Sequence, residues 1–192
     1  MRGLYAVTPD GVDPGRLRAA LQGGVALLQY RNKKRDSAHA REVLRLAREH
    51  GVPVIVNDDV DLALELDADG AHLGRDDGDL RTARRRLGGR LLGASCYNDL
   101  GRARAAVAAG ADYVAFGSVF PSSTKPGAVR APLDLFGEAK ALGVPLAAIG
   151  GITTENAPQV IAAGAHLLAV ISDLFDASDI AGRARRYGKL FA

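Results

Sequence analysis

Pro53-Val-Ile-Val-Asn57-Asp58-Asp59-Val-Asp61-Leu-Ala-Leu-Glu-Leu-Asp-Ala-Asp69-Gly70-Ala-His72-Leu-Gly74-Arg75-Asp76-Asp77 holds two short strands and a helix-like segment between them. Val54 to Val56 is a β-branched run that stops in carboxylates, and the run from Gly70 to Gly74 ends the same way. Strand, helix and strand form a βαβ unit, so the two strands should lie parallel and adjacent. Asp58 and the pair Asp76/Asp77 then share one rim of a sheet. Carboxylates gathered on one rim repel each other unless a cation sits between them. Mg²⁺ holding a phosphate suits that place.

The same unit recurs along the whole chain. Short apolar runs at residues 4–7, 26–30, 54–56, 70–73, 91–94, 113–116, 146–149 and 167–171 are each followed by a helical pattern. Most are entered through glycine, which tolerates the left-handed backbone that ends a helix. Ala109-Gly110-Ala111 and its near copy Ala163-Gly164-Ala165 precede strands two units apart, a weak internal repeat. Continuous apolar strands, rather than alternating ones, mean burial on both faces. Eight units without a domain break predict one (β/α)₈ TIM barrel, an α/β fold over residues 1–192. An open doubly wound sheet is the alternative.

Composition sets limits on partners. The 192 residues are 47% hydrophobic and 24% charged, as in one soluble domain. A domain of this size buries roughly 70% of its unfolded surface. With no Trp and 5% aromatics, aliphatic residues must fill the core. The net charge is +3, and basic clusters at residues 81–90 and 183–189 read as solvated helix faces. Without interleaved aromatics or a binding motif, no nucleic-acid partner is expected. One cysteine, Cys96, permits no internal disulfide and fits a reducing compartment. No signal-like segment opens the chain, and no run approaches ~18 apolar residues. A cytoplasmic protein without a membrane partner is expected.

Barrel active sites lie at the strand C-termini, so the residues there carry the chemistry. After the second strand, Arg31 and Lys33 alternate and face one side if the backbone stays extended. A planar fork beside a point charge suits a pyrophosphate. Asn57 and Asp58 follow the third strand, where either could cap the next helix. His72, within the fourth, reads as a packed histidine. Ser95 follows the fifth strand as a possible donor, with no base in sequence reach to make it or Cys96 a nucleophile. Phe120-Pro-Ser122-Ser-Thr124-Lys125-Pro-Gly127 gathers hydroxyls and a lysine in a loop that suits closure over a phosphorylated ligand. Gly150-Gly151-Ile152 after the seventh strand and Ile171-Ser172 after the eighth should open helices whose N–H groups cup a phosphate.

Taken in order, these stretches resemble the thiamine phosphate synthase family along essentially the whole chain. The matching runs are Leu4-Tyr-Ala-Val-Thr8, Gln29-Tyr-Arg31-Asn-Lys33, Val56-Asn57-Asp58-Asp59, Ala68-Asp-Gly-Ala-His72-Leu-Gly74, Ala111-Asp-Tyr-Val-Ala-Phe-Gly117, Phe120-Pro-Ser-Ser-Thr124-Lys125, Ala148-Ile-Gly150-Gly-Ile152 and Ala169-Val-Ile-Ser172. The resemblance implies an alkyl-type transfer joining hydroxymethylpyrimidine pyrophosphate to hydroxyethylthiazole phosphate, with the pyrimidine leaving as a stabilised carbocation. It assigns Arg31, Lys33, Asn57 and Lys125 to the pyrophosphate and Asp58 and Asp77 to Mg²⁺. Gln29 and Ser95 would face the pyrimidine. Ser122, Thr124 and the backbones of Gly151, Ile171 and Ser172 would hold the thiazole phosphate. Catalysis would rest on Arg31, Lys33, Lys125 and Ser95.

Two positions depart from the commoner pattern. Arg75 stands where glutamine is frequent and could pair with Asp76, and Ser122 stands where threonine is frequent. A thiazole tautomerase of the same fold would need a rim histidine, yet His39, His50, His72 and His166 do not follow strands. A non-catalytic phosphate-binding regulator would have no use for paired metal acids.

Overall fold

The computed structural model describes residues 1–121, 127 and 129–192. Eight parallel strands close in sequence order: β1 Gly3–Val7, β2 Leu27–Tyr30, β3 Val54–Asn57, β4 Gly70–Leu73, β5 Leu91–Tyr97, β6 Tyr113–Gly117, β7 Leu146–Ile149 and β8 Leu167–Val170. Closure is made by β1 against β8, with Leu4 opposite Leu168 and Ala6 opposite Val170. The (β/α)₈ expectation is therefore met, and the open sheet is excluded. The outer ring is α1 Pro14–Gln22, α2 Ser37–Glu49, α3 Val60–Glu65, α4 Leu80–Leu87, α5 Leu100–Ala108, α6 Asp134–Ala139, α7 Ala157–Ala163 and α9 Ile180–Lys189. A four-residue helix, α8 Ser172–Phe175, stands between β8 and α9. No helix among the described residues is long and apolar enough to cross a membrane.

Aspartates start six of these helices. Asp13, Asp36, Asp59, Asp79, Asp99 and Asp179 each accept a hydrogen bond from the backbone N–H three residues on. Each satisfies one of the four N–H groups that a helix leaves unpaired at its start. This corrects the capping expectation for β3: the cap is Asp59, bonded to Leu62 N, and not Asn57 or Asp58.

A second device repeats at the floor. The residue before β4 donates its N–H to Val54 O and accepts from Val54 N through its side chain, Asp69 Oδ2, at 2.7 Å. Asp112 before β6 does the same to Leu92, and His166 before β8 to Leu146. Strands three to eight are thereby latched in pairs. In the first pair the corresponding position is Ala26, which keeps only the N–H bond, to Leu4 O. The basic clusters are more engaged than a solvated face requires. Arg84 reaches Asp112 and Gly110 O, Arg86 reaches Asp61, and Arg90 reaches Asp67.

Strand residues alternate between two cores. Leu4, Ala6, Leu28, Val54 and Val56 face the helices, whereas Tyr5, Val7, Leu27, Ile55, Tyr113, Ala147 and Leu167 fill the barrel. His72, Gly93 and Tyr113 lie side by side in register on β4, β5 and β6. A Cβ on Gly93 would come within 2.1 Å of Tyr113 Cζ and 2.5 Å of His72 Nδ1. Glycine there lets Tyr113 cross to His72, with Tyr113 Oη 2.8 Å from Nδ1. Burial holds the His72 pKa down at about 4, and the nearby Asp77 charge only partly offsets this.

Asp112→Ala removes the acceptor for Leu92 N and the partner of Arg84, and should cost about 1–3 kcal/mol. The cap variant Asp99→Ala should cost only ~1 kcal/mol, and denaturant titration of both orders the two effects. The unfolded chain protonates histidine near pH 6.5 and folded His72 only near 4. Stability from this group is therefore complete above pH 6.5 and lost as pH falls through 4, by on the order of 3 kcal/mol. A His72→Asn variant should show a correspondingly flatter stability profile over that window.

Candidate active site

A cavity of about 940 Å³ opens at the C-terminal end of the barrel and takes lining from every strand. At β2, Gln29 points inward and is buried. The chain then leaves the sheet under control of Thr8, whose Oγ1 donates to Arg31 O and accepts from Arg31 N, both at 2.9 Å. Arg31 and Lys33 do lie on one side, as their spacing predicts. Their common partner is Asp10, 3.3 Å from Arg31 Nη1 and 3.8 Å from Lys33 Nζ. Nothing in Thr8-Pro9-Asp10 itself reveals which charges the β2 loop brings to Asp10.

The acidic rim forms where the opening stretch placed it. Asp58 takes a positive φ of 62° and accepts from Asn57 Nδ2 at 2.5 Å. With the cap supplied by Asp59, Asp58 is turned from the helix axis to the cavity wall, where Asp76 and Asp77 also stand. Asp77 Oδ2 accepts from Gly74 N at 2.7 Å. Arg75 does not turn to Asp76 but lies 4.9 Å over the Tyr97 ring, a cation–π contact. Among the described residues no three His, Cys, Asp or Glu side chains could enclose a metal unaided. Two rim carboxylates instead suit Mg²⁺, which keeps water and substrate phosphate oxygens in its shell.

Ser95 corrects two expectations at once. Strand β5 runs on to Tyr97, with a register shift between Ser95 and Tyr97, so Ser95 belongs to the strand and not to the loop after it. It also has a histidine beside it, His72 Nε2 at 2.9 Å from Oγ. Inward parity on adjacent strands was the signal that could have paired them. The contact is not an activated nucleophile. Burial makes His72 a weak base, and its Nδ1 meets the Tyr113 hydroxyl where a triad would place a carboxylate. Cys96 faces the outer core, and burial pushes its thiol up to about 12, which keeps it protonated and unreactive.

Across the mouth, Gly150 and Gly151 take φ of 103° and 62°. A Cβ on Gly151 would come within 2.2 Å of Pro121 O, so that backbone approach requires glycine. These φ values are not helical, and α7 begins only at Ala157, correcting the expected helix start. Asn156 braces the intervening loop through Thr153 N and Gly151 O, both at 2.9 Å. After β8, Ser172 does open a helix, the short α8. Behind it Asp173 joins Arg183 at 2.8 Å and Tyr187 Oη at 2.6 Å, and Tyr187 also reaches Ile152 O. The β7 loop and α8 are thus fixed to one another from below. Gly151, Ile171 and Ser172 line the same cavity as Arg31, Lys33, Asn57, Asp58, Asp77, Gln29 and Ser95. Ser122, Thr124 and Lys125 lie outside the described residues.

Known proteins resemble this chain along nearly its whole length. The family model described as thiamine monophosphate synthase matches residues 4–174. A thiamine-phosphate synthase of Aromatoleum aromaticum is 62% identical over 201 residues, covering 100% of this chain and 97% of its own. That of Chromobacterium violaceum is 57% identical over 194 residues, covering 96% and 94%. The solved structure of thiamine phosphate pyrophosphorylase from Pyrococcus furiosus superposes with a TM-score of 0.89 at 32% identity, covering 98% of this chain and 94% of that one. Matched by that family model over residues 4–174 and by relatives that share more than half of its residues, the chain belongs to the thiamine monophosphate synthase family.

Proposed function

We propose that the protein joins hydroxymethylpyrimidine pyrophosphate to hydroxyethylthiazole phosphate, releasing thiamine phosphate and pyrophosphate. The observation that carries this reading is the division of one cavity. Carboxylates Asp58 and Asp77 with cations Arg31 and Lys33 stand at the ends of β2–β4, and the Gly150–Gly151 turn and α8 stand at β7–β8. Two phosphorylated ligands thus have separate anchors with the barrel mouth between them. Relatives at 57% and 62% identity that carry the synthase name support the same reading.

Arg31, Lys33 and Asn57, together with Lys125, hold the pyrophosphate of the first substrate and take up charge as it departs. Asp58 and Asp77 would hold Mg²⁺, whose charge favours that departure. Gln29 and Ser95 face the pyrimidine. Ser122, Thr124 and the backbones of Gly151, Ile171 and Ser172 hold the thiazole phosphate, in the position where barrels of this kind bind phosphate. The pyrimidine methylene carbon loses its bond to the pyrophosphate oxygen and gains one to the thiazole nitrogen. That nitrogen brings its own lone pair, so no protein nucleophile or base is required. Orientation of two bound rings and stabilisation of a leaving anion account for the rate. The inert Ser95–His72 contact and the protonated Cys96 are consistent with such chemistry.

Purified protein should form thiamine phosphate from the two substrates with Mg²⁺, and should stop when the metal is chelated. Absence of product while both substrates still bind would overturn the assignment. Asp77→Asn should lower kcat/KM about tenfold or more, with partial recovery at raised Mg²⁺. Unchanged kinetics in that variant would move the metal contact to Asp76 or remove it.

A further inference from the structure

Tyr5, Tyr113 and His72, which have no part in the reaction above, link Gln29 to Ser95 through the barrel interior. Gln29 Nε2 donates to Tyr5 Oη at 2.5 Å. Tyr5 Oη lies 2.8 Å from Tyr113 Oη, and Tyr113 Oη 2.8 Å from His72 Nδ1. His72 Nε2 lies 2.9 Å from Ser95 Oγ. Tyr5, Tyr113 and His72 are 1%, 0% and 6% exposed, and Tyr5 and His72 line the cavity together with the two ends, Gln29 and Ser95.

Such a chain has a direction. Each hydroxyl carries one proton, so a hydroxyl that accepts from one neighbour donates to the other. A neutral imidazole has one N–H and one lone pair, so it transmits the same sense. Only two settings are self-consistent. In one, Gln29 donates to Tyr5, Tyr5 to Tyr113, Tyr113 to His72 Nδ1, and His72 Nε2–H to Ser95. In the other every bond reverses and Gln29 must present its carbonyl oxygen to Tyr5. The amide nitrogen of Gln29 faces Tyr5, which selects the first. Neither partner of the ring, Tyr113 Oη at Nδ1 nor Ser95 Oγ at Nε2, is a carboxylate that would hold a second proton on it.

We propose that the Tyr5–Tyr113–His72 chain sets the polarity of the two groups that meet the pyrimidine, turning the Ser95 hydroxyl proton and Gln29 Oε1 toward the ligand. The site then offers one donor and one acceptor, which match a ring nitrogen beside an amino group. An oxo group in place of the amino group reverses that edge, giving N–H beside oxygen, and meets donor with donor. Tyr5, Tyr113 and His72 are positioning residues that act on specificity through Gln29 and Ser95. The inference rests on the pyrimidine lying against Gln29 and Ser95, as proposed above.

The chain is tested first without substrate, by NMR of ¹⁵N-histidine-labelled protein with His72 identified from its loss in His72→Asn. The expected spectrum shows His72 with its proton on Nε2, and a proton on Nδ1 would overturn the proposal. Tyr113→Phe should give mixed His72 tautomers and cut the preference for the aminopyrimidine over its 4-oxo analogue by about tenfold or more. The KM for the thiazole phosphate should stay unchanged, whereas general loosening of the fold would raise both KM values. Unaltered tautomer and unaltered discrimination in Tyr113→Phe would sink the idea. Should that variant fail to fold, Tyr5→Phe breaks the chain one link earlier and is held to the same two readouts. If the wild-type protein binds neither pyrimidine while His72 is protonated on Nε2, the proposed reaction falls and the polarity assignment stands.

Discussion

Pairing of β1 with β8 is the constraint from which the site follows. An open sheet of these eight strands would separate Gln29 on β2 from Gly150 after β7 by most of its width. Closing it sets those two ends across a common mouth, and the alternation of a parallel strand decides which residues enter. One parity sends Leu4, Ala6 and Val54 to the helices, and the other sends Tyr5, Gln29, Asn57, His72 and Ser95 to the interior. The functional groups are therefore not decorations on loops alone. Several are rungs of the barrel itself, held by backbone pairing on both sides.

Rigidity increases with depth in this arrangement. At the rim, Arg31 and Lys33 meet Asp10 in contacts partly open to water, so their charge can be redirected at small cost. One layer down, Ser95 and Gln29 are held by groups that are themselves buried. Below them, Gly93 gives up its side chain so that Tyr113 can reach His72. The charged groups at the rim can exchange partners at small cost, and the neutral groups beneath them are tied to buried partners.

Much of this was legible in the sequence. The strands could be placed because both their faces are buried, which leaves uninterrupted apolar runs bounded by glycine. The acidic rim followed from Asn57-Asp58 and Asp76-Asp77 once the two strands were taken as parallel neighbours. Contacts that depend on backbone sign or on distant partners were not legible. Asp58, Asp59 and Asn57 are equally good caps by type, and only the positive φ at Asp58 hands the role to Asp59. Asp10 gathers Arg31 and Lys33 from a different strand. His72 and Ser95 are separated by a helix in the chain and by one strand spacing in space. Asp76 is the partner for Arg75 that lies nearest in sequence, yet its guanidinium stacks on an aromatic face from the next strand, Tyr97.

The latches at the barrel floor have a consequence for how the chain comes together. Asp69, Asp112 and His166 each tie a strand to the one immediately before it, over separations of only 15 to 20 residues. Those three pairs are held by contacts local in sequence, of the kind that form early. The first pair, with Ala26 in place of a latch, is different. Its N-terminal strand gains its second neighbour only when β8, the last strand of all, comes alongside. The seam that joins Leu4 to Leu168 thus asks for nearly the whole chain before the barrel can close.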